Sequence, residues 1–309
     1  MISRKDFLKQ SALMAAGLMT PLGAGAKLLT PAKPNVTILY TNDTHARLDP
    51  FPDNAVEFAG LGGIARRASL VKKIRSESRH VLLLDAGDVF QGTPWFDVYG
   101  GEVDLKLMSE MGYDAMAVGN HEFDRGPDGF AEAAQKARFP ILAANYDASG
   151  TPMNEYLQRL IVKEFEGFRI GIFGLGIEFN GVVSPDLHGG VRHRDPIAWA
   201  TGMTNSLRQY HKCDFIICLS HLGFQYGSGR MDDMTLAEKV AGIDLIIGGH
   251  THTFLDYPVG VVNPDGDVTQ ITQMGHGGVR LGRIDLSFNE RNQKYALSDR
   301  YYTIGEGTE

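Results

Sequence analysis

Ala115-Met116-Ala117-Val118-Gly119-Asn120-His121-Glu122-Phe123-Asp124 places four apolar residues and a glycine ahead of five residues, four of them polar or ionisable. An apolar run this short and continuous is expected of a strand covered on both faces, so its polar tail falls at the strand's C-terminal end. The same order recurs along the chain. Residues 36–40 run into Asn42-Asp43-Thr44-His45, residues 81–84 into Asp85-Ala86-Gly87-Asp88, residues 215–219 into Ser220-His221, and residues 245–247 into Gly248-Gly249-His250-Thr251-His252. Further apolar runs lie at 141–144 and 170–175. Between these runs, amphipathic spacing predicts helices over 63–78, 103–111, 129–137, 197–210 and 234–241. Residues 268–274, 281–288 and 295–303 alternate in the manner of antiparallel strands joined by Gly, Asn and Asp turns. No linker of Pro, Gly or Ser type interrupts this pattern, so one continuous α/β domain is expected over residues 36–305.

In an open α/β sheet the C-terminal strand ends line a common crevice, and residues distant in sequence converge there. Charged and imidazole groups placed directly after apolar strands are costly to bury without partners, and a cation supplies one. Asp43, His45, Asp88, Asn120, His221, His250 and His252 offer oxygen and nitrogen donors and no thiolate. That set is too large for one tetrahedral site and suits two divalent metal ions sharing a bridging carboxylate. The absence of sulfur disfavours a closed structural zinc site and leaves Zn, Mn or Fe as candidates.

Taken in order, five segments carry a resemblance: Asn-Asp-x-His at 42–45, Gly-Asp-x-x-x-Gly at 87–92, Gly-Asn-His-Glu-x-x-Asp at 119–124, Ser-His at 220–221, and Gly-His-x-His at 249–252. Together they resemble the calcineurin-like metallophosphoesterases, and more closely the N-terminal catalytic domain of the 5′-nucleotidase branch, which includes bifunctional UDP-sugar hydrolases. Residues 275–286 are similar to the strand pair that closes that domain, so the likeness spans residues 36–288. It implies a four-layer α/β/β/α sandwich with mixed sheets and metals at the C-terminal strand ends. It further implies that Asp43, His45, Asp88 and His252 hold one metal and that Asp88, Asn120, His221 and His250 hold the other. His121 matches the family's catalytic histidine, which assists the leaving group after attack by metal-activated hydroxide, and Asp124 matches the carboxylate that orients it.

The chain has 309 residues, 43% hydrophobic and 22% charged, enough for a substantial core. Its net charge of −7 argues against a nucleic-acid polymer as partner. No run of eighteen apolar residues is present to span a membrane. The first residues combine a basic segment at Arg4, Lys5 and Lys9, a short apolar stretch at 12–19, and Ala24-x-Ala26, the pattern of an export signal. Ser3-Arg4-Lys5 resembles a twin-arginine signal with Lys5 in place of the second arginine, which leaves both Tat and Sec routes open. A signal over residues 1–26, a linker over 27–35 and a periplasmic or otherwise exported mature protein without membrane insertion are therefore expected. Cys213 and Cys218, five residues apart in an extended run, would lie about 16 Å from each other on opposite faces, too far for a disulfide.

The resemblance implies hydrolysis of a small-molecule phosphomonoester, with 5′-nucleotides the leading expectation. A phosphodiester or nucleotide-sugar pyrophosphate is the sibling substrate class. Two-domain 5′-nucleotidases continue into a domain that clamps the nucleoside, so a catalytic subunit completed by a separate substrate-binding protein is a further alternative. Several residues divide between uses. Arg47 offers either a substrate phosphate contact or a surface salt bridge, and Trp95 and Phe96 either a stacking platform or core packing. Asp85 is expected to orient a backbone or ligand group. His276 falls at the surface or the site rim, and His80, His188, His193 and His211 are expected at the surface.

Overall fold

Short runs rich in Val, Ile and Leu form the central strands because both of their faces are covered. The chain passes through β1 (Val36–Thr41), β2 (Val81–Asp85), β3 (Ala115–Ala117), β4 (Ile141–Leu142), β5 (Tyr146–Asp147), β6 (Leu157–Gln158), β7 (Leu160–Phe165) and β8 (Phe168–Leu175). It continues through β9 (Arg192–His193), β10 (Phe215–Ser220), β11 (Leu245–Gly248), β12 (Val259–Val262), β13 (Val268–Thr272), β14 (Arg280–Asn289) and β15 (Lys294–Thr303). The helices are α1 (Ile64–Glu77), α2 (Pro94–Tyr99), α3 (Glu102–Met111), α4 (Gly126–Ala134), α5 (Pro185–His188), α6 (Pro196–Gln209) and α7 (Asp233–Lys239). The structure, a computed structural model, describes residues 36–289 and 294–305. The export-signal and linker readings over 1–35 lie outside the described residues.

Two mixed sheets form the centre. One has the order β15-β14-β1-β2-β3-β4-β6, parallel from β1 through β6 with β14 antiparallel against β1. The other has the order β12-β13-β11-β10-β8-β7, parallel across its four middle strands. Strand alternation divides each sheet's side chains between two layers. Ile38 and Tyr40, with Leu82, Leu84 and Ile284, meet Ile172, Ile217, Leu219 and Ile247 of the second sheet in a buried cluster between the sheets. Leu39, Leu83 and Met116 face the other way, onto Val71 and Ile74 of α1, Met108 of α3 and Phe130 of α4. Phe173, Ile216 and Ile246 pack onto Leu207 of α6 and Leu236 of α7. The expected α/β/β/α sandwich is therefore the architecture.

Three expectations need correction. The helix expected over 129–137 runs from Gly126 to Ala134, because Pro127 in the first turn costs no hydrogen bond and fixes a helical φ. The alternating stretch at 268–274 does not pair with its successors. β13 lies parallel to β11 and antiparallel to β12, so it extends the second sheet, whereas β14 and β15 pair with each other at the edge of the first. His80, His188, His193 and His211 are all half-buried rather than superficial, His188 and His193 through aromatic packing. His188 stacks on Phe179 at 4.8 Å, and Phe179 stacks on Tyr146, so the two imidazoles complete an aromatic cluster. Cys213 and Cys218 are buried free thiols, as the spacing requires.

Candidate metal centre

The parallel strands β1, β2 and β3 of one sheet and β10 and β11 of the other end at one edge, where their following loops meet. Asp43, His45, Asp88, His250 and His252 all have left-handed backbone, with φ between 49° and 71°. Such conformations cost about 1 kcal/mol or more for a non-glycine residue and persist where the surroundings over-determine them. The loops are packed to the limit here. A Cβ on Gly87 would stand 2.7 Å from the Gly119 nitrogen and 2.9 Å from His221 Nδ1, so only glycine lets the β2 and β3 loops approach this closely.

Three overlapping groups could each hold a cation: Asp43, His45 and His252; His45, Asp88 and His121; and Asp88, His221 and His250. Within each group one donor atom per residue lies within 4.8 Å of the others. Asp88 and His45 belong to two groups apiece, so the clusters form one continuous centre. Asn120 joins through Oδ1, 2.6 Å from His250 Nδ1. All seven residues that the sequence nominates as ligands are thus brought together, and His121 lies among them.

The donor geometry fits divalent ions. His221 is fully buried and directs Nδ1 at the Ala86 carbonyl, 2.7 Å away. With its proton committed there, Nε2 is an acceptor with no hydrogen-bond partner, yet it faces Asp88 Oδ2 at 3.0 Å and Asp43 Oδ1 at 3.9 Å. His45 Nε2 and His252 Nε2 approach to 2.9 Å, both near Asp43 Oδ1. Acceptors crowded around one point need either protons or a cation. Without a metal, burial pulls His221 down but the Asp88 carboxylate more than compensates, raising its pKa to about 10. Burial pushes Asp88 up, and His221 and the other imidazoles reverse this to leave it well below the usual carboxylate range. His250 is lowered to about 4 by burial and by His221.

His121 donates its backbone N–H to Asp88 Oδ1 at 2.8 Å, and its Nδ1 lies 2.8 Å from Asp124 Oδ2. Burial lowers its pKa, but the Asp124 hydrogen bond and the Asp88 charge outweigh this and leave it raised. Asp85 accepts from the Thr41 hydroxyl at 2.6 Å and from the Gly87 N–H at 2.8 Å, so it orients the turn into Asp88.

Supporting groups that sequence reasoning left without a role complete the picture. Glu122, fully buried, accepts the backbone N–H groups of Asp88, Val89 and Gly119 at 3.0, 2.8 and 2.6 Å, tying the β2 loop to the β3 loop. Burial and the Asp88 charge push its carboxyl up to about 7 even so. Asn42 donates to Asp43 Oδ2 at 2.6 Å and accepts from the Met274 N–H at 2.8 Å. Gln273 donates to the Gly249 carbonyl at 2.6 Å and accepts from the Thr253 N–H, bracketing the loop that carries His250 and His252. Glu122 and Asn42 lie inside quoted motifs, which is a usable signal; Gln273 has none.

The divided residues also resolve. Phe96 is core, whereas Trp95 is half-buried and stacks on Tyr99. Arg47 makes no ion pair among the described residues and lies over the Phe51 ring, 4.3 Å from its centre. His276 is at the rim, stacked on His252 with ring centres 4.6 Å apart.

Known proteins share this arrangement of chain. A family model described as calcineurin-like phosphoesterase matches residues 36–254. The trifunctional nucleotide phosphoesterase YfkN of Bacillus subtilis is 34% identical over 289 residues, covering 83% of this chain and 18% of that protein. Human 5′-nucleotidase is 35% identical over 306 residues, covering 91% of this chain and 51% of the relative. Among solved structures, a 5′-nucleotidase precursor from Thermus thermophilus superposes with a TM-score of 0.78 at 33% identity, over 88% of this chain and 55% of that one. The chain therefore spans about half or less of the length of these relatives.

Proposed function

This chain belongs to the calcineurin-like phosphoesterase family, and on that premise we propose that it is an exported phosphatase with two divalent metal ions that hydrolyses phosphomonoesters, 5′-nucleotides foremost. The observation that carries the reading is the chain of overlapping ligand groups, linked through His45 and Asp88, where the two sheets' strand ends meet. Asp43, His45, Asp88 and His252 would hold one ion, and Asp88, Asn120, His221 and His250 the other. When bound, the two ions supply a water of lowered pKa and neutralise charge in an in-line displacement. His121, its Nδ1 committed to Asp124, presents Nε2 to the departing oxygen and delivers a proton there. Asp124 holds the imidazole in that tautomer and keeps it protonated to higher pH. The relatives' printed activities on nucleotides support the substrate class, and the snake-venom 5′-nucleotidases among them, one 35% identical over 277 residues, support export. Among the described residues no helix is long and apolar enough to cross a membrane.

The test is phosphate release from AMP, a cyclic nucleotide diester and a sugar nucleotide, with and without chelator. Hydrolysis of AMP that stops with chelator, returns with Mn²⁺ or Zn²⁺, and falls by about a thousandfold or more in Asp88→Ala is expected. A loss of less than tenfold in that variant would falsify the reading. Faster turnover of the diester or sugar nucleotide would move the substrate class and leave the metal chemistry in place.

A further inference from the structure

Arg47 and Trp95 carry groups that the displacement leaves unused, and both stand beside the metal centre. Arg47 follows His45 by two residues, which puts its Cα within about 7.6 Å of that ligand's Cα. Its guanidinium is held flat over Phe51, and among the described residues it makes no side-chain hydrogen bond or ion pair, so all five N–H donors remain available. The segment leading to Trp95 packs against the same ligand's loop. Thr93 Oγ donates to the Ala46 carbonyl at 2.7 Å, and Gly92 lies so near that a Cβ there would be 3.0 Å from His45 Cβ.

These two segments enclose a cavity of about 370 Å³, with Arg47, Asp49, Thr93, Trp95, Val98 and Tyr99 in its wall. That is larger than a phosphate group needs and lies at the lower end of small-molecule sites. Its chemistry is specific. The Trp95 indole stacks on Tyr99, ring centres 5.8 Å apart at 23°, and donates Nε1–H to Asp49 at 2.8 Å, so its plane is fixed before anything binds. Val98 and Tyr99 leave apolar surface open at the mouth, 69% and 46% exposed. A fixed indole face, an apolar rim and an unengaged guanidinium together suit a flat ring that bears hydrogen-bond acceptors.

We propose that this cavity is the leaving-group subsite: it takes a planar, nucleobase-like ring against Trp95, with Arg47 donating to the ring's acceptors, while the ester phosphate lies at the metal centre. The proposal rests on the phosphomonoesterase reading for the phosphate alone, because ring binding needs no hydrolysis. The first experiment is accordingly independent of turnover. The chain has two tryptophans, so Trp199→Phe leaves Trp95 as the only indole; adenosine titrated into that protein should quench its fluorescence saturably, and ribose should not. The second is the ratio of kcat/KM for AMP to kcat/KM for ribose 5-phosphate. It should fall about tenfold in Trp95→Ala and in Arg47→Ala, and largely recover in Trp95→Phe, which keeps an aromatic face. Absence of quenching, quenching by pyrophosphate in place of adenosine, or an unchanged ratio overturns the subsite. Absence of any phosphomonoester hydrolysis overturns the proposed function instead, and the quenching result then stands on its own.

Discussion

Three of the central imidazoles commit one ring nitrogen to a fixed protein partner: His45 Nδ1 lies 3.2 Å from the Phe90 carbonyl, His221 Nδ1 2.7 Å from the Ala86 carbonyl, and His121 Nδ1 2.8 Å from Asp124. The first two partners are neutral, and they leave a basic nitrogen for a cation. The third is a carboxylate, and it raises the pKa of His121. A histidine that must give up a proton to a leaving group works only below its pKa, so Asp124 extends activity toward alkaline pH. Asp124→Asn should therefore lower kcat about 10–100-fold and move the alkaline limb of the pH–rate profile to lower pH. A fall in kcat with that limb unmoved would assign Asp124 a structural role only. At this scale much was legible in the sequence, because Asp43, His45, Asp88, Asn120, His221, His250 and His252 each sit directly behind an apolar run. Glu122 lies inside one of the motifs, but its role as a tie between loops is not legible there, because the Asp88 and Val89 N–H groups it accepts lie more than thirty residues earlier in the chain and reach it only in the fold.

Helices α1 and α3 cover the outer face of the first sheet and bury two groups that their amphipathic pattern does not require. Arg67 of α1 is 2% exposed, and its Nε and Nη1 have no hydrogen-bond partner. Asp104 of α3 is equally buried, with Oδ2 unpartnered, and burial pushes its carboxyl up to about 7. An acid whose folded pKa lies above its unfolded value near 3.8 binds more protons folded than unfolded between those values. Stability therefore falls as pH rises through that window. Asp104→Asn removes the titration, so the variant should gain on the parent by up to about 4 kcal/mol between pH 4 and pH 7, read from denaturant midpoints. A parallel pH dependence in the two proteins would show that Asp104 ionises without cost. Elements were legible to different degrees. The helices 63–78, 103–111 and 197–210 declared themselves by spacing, each within a residue or so of its observed ends. The placement of β13 did not, because alternation tells which residues share a face and says nothing of which sheet receives the strand.

Across the whole molecule, the two sheets meet through apolar side chains along their length and through ionisable ones at a single edge. The first sheet's strand ends supply Asp43, His45, Asp88 and Asn120, and the second sheet's supply His221, His250 and His252. Ions held there would fasten one sheet to the other, and binding to the folded form alone raises stability by mass action. At a free metal concentration of 100 Kd this is about 2.7 kcal/mol for one site, worth roughly 5–10 °C in Tm for a domain of this size. Chelator should lower Tm by that amount, and added Mn²⁺ or Zn²⁺ should restore it with a logarithmic dependence on concentration. The shift should also shrink as pH falls. In the metal-free centre His221 holds a proton up to about pH 10 beside Asp88, and an ion must displace that proton to bind. Asp88→Ala removes the carboxylate common to two ligand groups and should abolish the metal-dependent shift, whereas His252→Ala, at the more exposed end, should halve it at most. A full shift surviving in Asp88→Ala would mean that the ions bind elsewhere and that the two sheets are held at this edge by protons alone.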